Sequence, residues 1–483
     1  MKQLLVTCTR VSLARSIGRN TLLQIVGKGI ATILGFATVA ILQRALGPET
    51  YGAYTTVMAY MGFFSVIADF GLYLIVLREI AKPDADKDKV VGNALTLRLI
   101  AAAVLLGGGV CASLAFPYSH DIKTGIAIIS VSFFFVAIQQ VLVSLFQHAL
   151  RMASVAVGEV AGRIVLLALV AYFAVNGATL WHMLYAVVAG SLVNTLIVFF
   201  RSRAFVRLKL RFDYVYWKYL LKETWPIAIS IVLNLLYFRM DTIFLSVFRS
   251  LQEVGLYGAA YKILEILITF PNMFIGLVMP VLSAVAFVNW ERFRVVFQRA
   301  FDVLLMGAAP LLVGGLILAR PLVVFVGGPA FADAAPFFRI LIVAVTFLFF
   351  GSLSGYSVTA INEQRRMVWA YLSVAILGLA AYLILIPLYG GYGAAIGTAL
   401  TEGSIMLAGY IMIWRRSHVL PSFHLLAKIG AAALFMGVVL FFVQSMQVVA
   451  ATAIGACVYI GSLFALKVLD KSTVKNILSK EAP

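Results

Sequence analysis

Eleven ionisable side chains interrupt long apolar runs, where charge is expensive. The cations are Lys28, Arg98, Arg163, Arg239, Lys262 and Arg339, and the acids are Asp69, Glu159, Asp241, Glu265 and Glu402. Each costs at least about 2.5 to 3.5 kcal/mol at the centre of a lipid-exposed helix, so such groups face a cavity or a partner. Fixed cations in a water-poor setting replace the hydration of an anion such as a phosphate, and acids there hold a proton or a small cation. Lys28, Arg98, Arg163, Arg239 and Lys262 are therefore candidate ligands for an anion, and Asp69, Glu159, Asp241, Glu265 and Glu402 candidate holders of a proton or small cation. Local spacing offers four of them a structural alternative. Glu159 and Arg163 lie i, i+4 and Lys262 and Glu265 i, i+3, which allows ion pairs on one helix face. Lys28, Arg98 and Arg239 have no opposite charge so spaced, and Arg239 and Asp241, two apart, point to different faces. Arg339 sits near the outer end of its run and is expected to snorkel.

The elements that carry these residues are membrane spans. The 483 residues are 63% apolar and 12% charged, against roughly 25% charged in a soluble domain, with a mean hydropathy of +1.01. A span needs about 20 mostly apolar residues, because backbone polar groups in hydrocarbon must be satisfied within the helix. Fourteen such runs occur, at about 20–43, 52–77, 91–115, 125–147, 155–175, 179–200, 224–248, 256–287, 298–319, 336–360, 367–388, 392–414, 425–443 and 449–466. No connection is large enough for a soluble domain; the longest, Arg201 to Glu223, is basic and rich in aromatic residues. The expected fold is all-α and polytopic, with about 14 transmembrane helices. Residues 1–19 read as a basic cytoplasmic surface segment rather than a cleaved signal, an Arg-rich transit peptide being the weaker alternative.

Charge sorts with the segmentation. With the N-terminus inside, the outer links hold 4 cations and 4 acids, while the inner links and both termini hold 28 cations and 11 acids. That bias is the positive-inside pattern, and one span more or fewer would scramble it. The net charge of +18 thus records orientation in a cytoplasmic (inner) membrane with both termini inside, and no nucleic-acid partner is expected. Gly52 and Tyr54 recur as Gly255 and Tyr257 at an offset of 203 residues, six spans on, which suggests a parallel repeat. The expected organisation is a first lobe at 20–200, a basic linker at 201–223, a second lobe at 224–414, an added helix pair at 425–466 and a cytoplasmic tail at 467–483. Pro271, Pro280 and Pro310 inside spans permit kinks. Gly393 and Gly397 are spaced for close helix packing.

Several chemistries lack their residues. Cys8, Cys111 and Cys457 form no external disulfide framework, and the five histidines have no metal-ligand spacing. Gly27-Lys28-Gly29 lacks the remainder of a phosphate-binding loop and lies in a span. Asp84-Ala85-Asp86 belongs to a solvated charge run. No organic cofactor is expected, only a coupling H+ or Na+.

LGPETYGAY (Leu46 to Tyr54), ADFGL (Ala68 to Leu72), YFRMDTIFLSVFRSLQEVGLYGAAYKILE (Tyr237 to Glu265) and GGPAFADAAPFFRIL (Gly327 to Leu341) resemble the Wzx-like polysaccharide flippases of the multidrug/oligosaccharidyl-lipid/polysaccharide exporter superfamily. The resemblance implies a V-shaped, two-lobed fold with a cationic cavity. It further implies alternating access that moves an undecaprenyl-pyrophosphate-linked oligosaccharide from the inner to the outer leaflet, often with ion coupling. Arg239, Asp241 and Asp69 lie in matching motifs; Lys28, Arg98, Arg163 and Lys262 rest on the physical argument. Expected partners are the lipid-linked oligosaccharide and membrane lipids, with polysaccharide polymerase and glycosyltransferases as functional neighbours. A lipid II flippase remains open. A multidrug exporter would favour acidic and aromatic cavities over six buried cations. A membrane polymerase or glycosyltransferase would need a sizeable external loop.

Overall fold

A computed structural model describes the backbone of residues 2–469, and side chains within them apart from residues 2–22, 25, 226–227, 230 and 233–238. The side chains of the basic N-terminal segment, Cys8 among them, and residues 470–483 of the expected tail lie outside the described residues. Helices connected by short turns make up the described chain, with no strand among the described residues. It divides into two compact units, Met1–Val247 and Phe248–Pro483.

The first unit holds α1 (Lys2–Asp69), α2 (Leu72–Ile80), α3 (Lys87–Ser113), α4 (His120–His148), α5 (Ala153–Val175), α6 (Leu180–Ser202) and most of α7 (Tyr214–Phe248). α1 is two spans joined at a kink. Gly47 adopts φ 69°, which breaks the helix, and Pro48 restarts it without a missing donor. A second break separates α1 from α2 inside the apolar run, where Phe70 and Gly71 both have positive φ. Inside this unit α5 packs on α6 through glycines: a Cβ at Gly162 would lie 2.6 Å from the Gly190 carbonyl oxygen.

The second unit holds α8 (Leu251–Leu267), α9 (Thr269–Ala286), α10 (Trp290–Ile317), α11 (Ala319–Gly327), α12 (Ala335–Ala360), α13 (Gln364–Tyr389), α14 (Gly391–Ser417), α15 (Leu426–Val443) and α16 (Val448–Ala465). The long apolar run at 256–287 is divided between α8 and α9. Pro271, lacking an N–H, follows that break by three residues, while Pro280 and Pro310 lie inside α9 and α10. Gly397 lets α14 approach the Tyr382 ring of α13, since a Cβ there would come within 2.5 Å of the ring. This is the close packing that the glycine spacing predicts.

Twelve candidate spans are long and apolar enough to cross a membrane among the described residues. The first, Val26–Ile80, has 55 residues, more than twice the length of one crossing, and α7 includes side chains outside the search. The pattern accords with about fourteen crossings in an all-helical polytopic fold.

Candidate functional site

The first group of charges lies on the seam between α1 and α5. These helices run parallel, as three successive contacts show. A Cβ at Gly27 would meet Ala156, Lys28 pairs with Glu159, and Gly35 lies beneath the Arg163 guanidinium. Lys28 Nζ is 3.6 Å from Glu159 Oε1, with the lysine side chain 58% exposed. The spacing had offered Glu159 to Arg163 on its own helix. That pair does not form among the described residues; α1 supplies a lysine to Glu159 instead. Arg163 is exposed, and no hydrogen bond or ion pair holds it among the described residues. The seam therefore presents two cations around one acid, and one of those cations has no counter-charge.

The second group closes the break between α1 and α2. Arg98 of α3 is 1% exposed, and its Nη1 lies 3.0 Å from Asp69 Oδ1. The same guanidinium donates to the Ala68 carbonyl and to Gln140 Oε1 of α4. Ala68 ends a helix whose last carbonyls have no intrahelical donor, so a cation there satisfies both hydrogen bonding and the negative end of the helix dipole. Arg98 Nε keeps no partner. Asp69, 22% exposed, is the more accessible member. So placed, the Arg98 guanidinium is committed to its own protein.

The other candidates are distributed along the chain. On α7, Asp241 is buried and accepts from the Thr242 N–H and hydroxyl, while Arg239 is half-buried. Lys262 and Glu265 of α8 form the i, i+3 pair their spacing allows, at 2.6 Å. Glu402 of α14 is buried beside Thr398 and Thr401 on the same helix and interacts electrostatically with Tyr371 of α13. Arg339 is exposed, and its Nε donates to the Leu316 carbonyl near the end of α10.

Sequence reading missed several polar anchors. Glu79 is buried at the end of α2, where it accepts from Lys82 Nζ, Tyr219 OH and Arg78 Nη2. Hydrogen bonds to Glu79 first, and then to the Tyr219 hydroxyl, hold the Lys82 ammonium above the usual lysine range. Asn93, buried in α3, accepts from the Asp213 N–H and Trp217 Nε1. With Asp88 accepting from Arg207 N–H and Thr96 Oγ1 from Arg211 N–H, it fastens the basic link along α3. A Cβ at Gly92 would come within 2.5 Å of the Lys209 carbonyl. Gln140 had a signal, standing next to Gln139 in an apolar run; Glu79 had one in the i, i+3 spacing to Lys82, while its Tyr219 partner comes from distant chain.

Residues 17–286, more than half the chain, match the family model described as polysaccharide biosynthesis protein. A putative O-antigen transporter of Shigella flexneri is 38% identical over 66 residues, 14% of this chain and 16% of that protein. A probable low-salt glycan biosynthesis flippase, Agl15, of Haloferax volcanii (strain DS2) is 21% identical over 401 residues, covering 81% of each chain. Among solved structures, the lipid II flippase MurJ in an inward closed conformation aligns with TM-score 0.75 and 16% identity over 93% of this chain and all of that one. An inward-facing multidrug resistance MATE transporter aligns with TM-score 0.66 and 16% identity over 82% of this chain and 98% of that one. At that identity the structural likeness speaks to the fold.

Proposed function

The chain belongs to the polysaccharide biosynthesis protein family, and from that premise we propose that it is a flippase: a transporter, with no chemical step of its own. Its relatives named as transporter and flippase support that reading. The proposed substrate is an undecaprenyl-pyrophosphate-linked oligosaccharide, moved from the inner to the outer leaflet of the cytoplasmic membrane by alternating access. Both termini are then cytoplasmic, in keeping with the charge asymmetry of the links.

The observation that carries the proposal is the seam of α1 and α5. Lys28 and Arg163 stand exposed in an apolar setting, with Glu159 paired to Lys28 and Arg163 unpaired among the described residues. A diphosphate needs two or more fixed cations to replace its hydration, whereas the lipid tail can stay in the bilayer. Arg163 supplies a planar fork suited to two phosphate oxygens, and Lys28 a movable point charge that can leave Glu159 for the ligand. In this reading Arg98 acts through Asp69, holding the α1/α2 break, rather than by contact. Lys262 and Arg239 are proposed to serve the headgroup at a later stage. Asp69, Asp241, Glu159, Glu265 and Glu402 are the proposed places for a coupling H+ or Na+, and polymerase and glycosyltransferases the proposed neighbours.

Depletion of the protein tests the assignment. Lipid-linked oligosaccharide should accumulate on the inner leaflet. Unpolymerised units on the outer leaflet would instead indicate a polymerase, and altered dye efflux without a lipid-linked change a drug exporter. Lys28→Gln and Arg163→Gln should each slow flipping about 10- to 100-fold, the loss of one charge-assisted contact. Full activity of the double variant would overturn the proposed role of the seam.

A further inference from the structure

The basic link and the first turns of α7 present Arg201, Arg203, Arg207, Lys209, Lys218 and Lys222 to the outside of the first unit, and none of them is in an ion pair among the described residues. Of the nearby acids, Asp213 pairs with Lys89, Asp86 with Arg211, Glu79 with Lys82 and Glu223 with Arg78, while Asp88 accepts from the Arg207 amide. Large apolar side chains stand among these cations. Phe212 is 73% exposed, Tyr214 78%, Val215 79% and Trp225 58%. On α7 the exposed positions 214, 215, 218, 221, 222 and 225 recur at helical spacing, so Lys218 and Lys222 share one face with Tyr214, Val215, Leu221 and Trp225. The opposite face is anchored by buried Leu220, with Tyr216 and Tyr219 packed in the core that holds Val206, Val91 and Phe146. The link itself is fastened by the Arg207, Arg211 and Asp213 amides, so ordering it on binding has little entropic cost.

We propose that this face is a docking site for the headgroups of anionic phospholipids, with Lys209, Lys218 and Lys222 meeting phosphate and the aromatic side chains lying at the acyl boundary. Three features favour a lipid over an acidic protein. Apolar and cationic side chains alternate on one surface, as in segments that lie in a membrane interface. Tyr and Trp are the residues that settle at headgroup level. The face also leads directly into the apolar run at 224–248, which fixes its depth at a membrane surface, the cytoplasmic one in the orientation proposed above. Headgroup binding is a separate matter from the transported substrate and survives if that reading fails.

The test uses the full chain in a nonionic detergent, offered phosphatidylglycerol and phosphatidylcholine in equal amounts, with bound lipid counted by native mass spectrometry. Each cation near an anionic surface contributes about fivefold. The wild type should therefore retain phosphatidylglycerol preferentially, and Lys209→Gln/Lys218→Gln/Lys222→Gln should lose about a hundredfold of that preference. Arg292→Gln/Arg299→Gln/Arg365→Gln removes the same charge elsewhere and should retain the preference. No preference in the wild type overturns the proposal, a result that does not depend on any variant folding. An unchanged preference in the lysine variant, or an equal loss in the arginine variant, overturns it as well. Binding of a poly-glutamate peptide without phosphatidylglycerol preference would assign the face to an acidic protein.

Discussion

Replacing Asp69 by Asn, Arg98 by Met, and both together measures what the α1/α2 break depends on. Arg98 is 1% exposed, and Asp69 is the acid that faces it at 3.0 Å. Asp69→Asn leaves a buried guanidinium with the Ala68 carbonyl and Gln140 as neutral acceptors and with Nε still unpartnered. An uncompensated buried charge costs about 3 to 5 kcal/mol, roughly 10²- to 10⁴-fold in the folding constant. Arg98→Met should cost less, about 1 to 3 kcal/mol, because the partly exposed Asp69 can be hydrated or take up a proton. In the double variant neither charge remains, and a methionine fills the volume. Its loss should fall about 2 kcal/mol or more short of the sum of the single losses. The assay is reversible unfolding in mixed micelles titrated with sodium dodecyl sulfate and followed by circular dichroism. A loss below about 1 kcal/mol for Asp69→Asn, or strict additivity in the double variant, would refute the assignment of this pair as the closure of the break.

Two further outcomes follow from local geometry. Gly162→Ala places a methyl within 2.6 Å of the Gly190 carbonyl oxygen and should destabilise by about 1 to 3 kcal/mol. Gly29→Ala, with nothing within 4 Å of the new methyl, should leave stability unchanged or raise it by up to about 1 kcal/mol in the same unfolding assay. Asp213 is held below its ordinary pKa of 3.8, first by the hydrogen bond from Lys89 and then by the Tyr216 amide. A carboxyl lowered in the folded state stabilises above its unfolded value and loses that contribution as pH falls through the lower folded value. The protection of the Tyr216 amide, its exchange rate compared with that of a free amide at the same pH, should therefore stay high at neutral pH and fall below pH 3.8, while Asp213→Ala lowers it already at neutral pH. No pH response in the wild type would count against the link being fastened in this way.

The legible part of the fold was local. The division of the run at 256–287 near Pro271, where a kink was expected, follows from backbone chemistry, which acts over a few residues whatever surrounds them. The pair of Lys262 with Glu265 was legible for the same reason, both residues standing on one turn of one helix. Glu159 was open to two readings, because i, i+4 spacing allows a pair without compelling it. Its choice of Lys28 over Arg163 depends on which face α5 turns toward α1. Arg98 appeared in the sequence as a charge without a helical partner, and Asp69 as one of the embedded acids. They met because the α1/α2 break brings a carboxylate and an orphan carbonyl to the same guanidinium.

Composition and the distribution of Lys and Arg by themselves determined that this chain is a bundle of membrane helices, and its motifs carried the family resemblance. These properties are additive along the chain: each apolar residue and each loop charge contributes independently of the rotation of any helix. The partners of the embedded charges, the fastening of the basic link along α3 and the burial of Glu79 were decided only by tertiary structure. They depend on the packing rotation and depth of several helices at once, set by close contacts such as Gly162 on Gly190 and Gly27 on Ala156. No residue encodes such a contact alone.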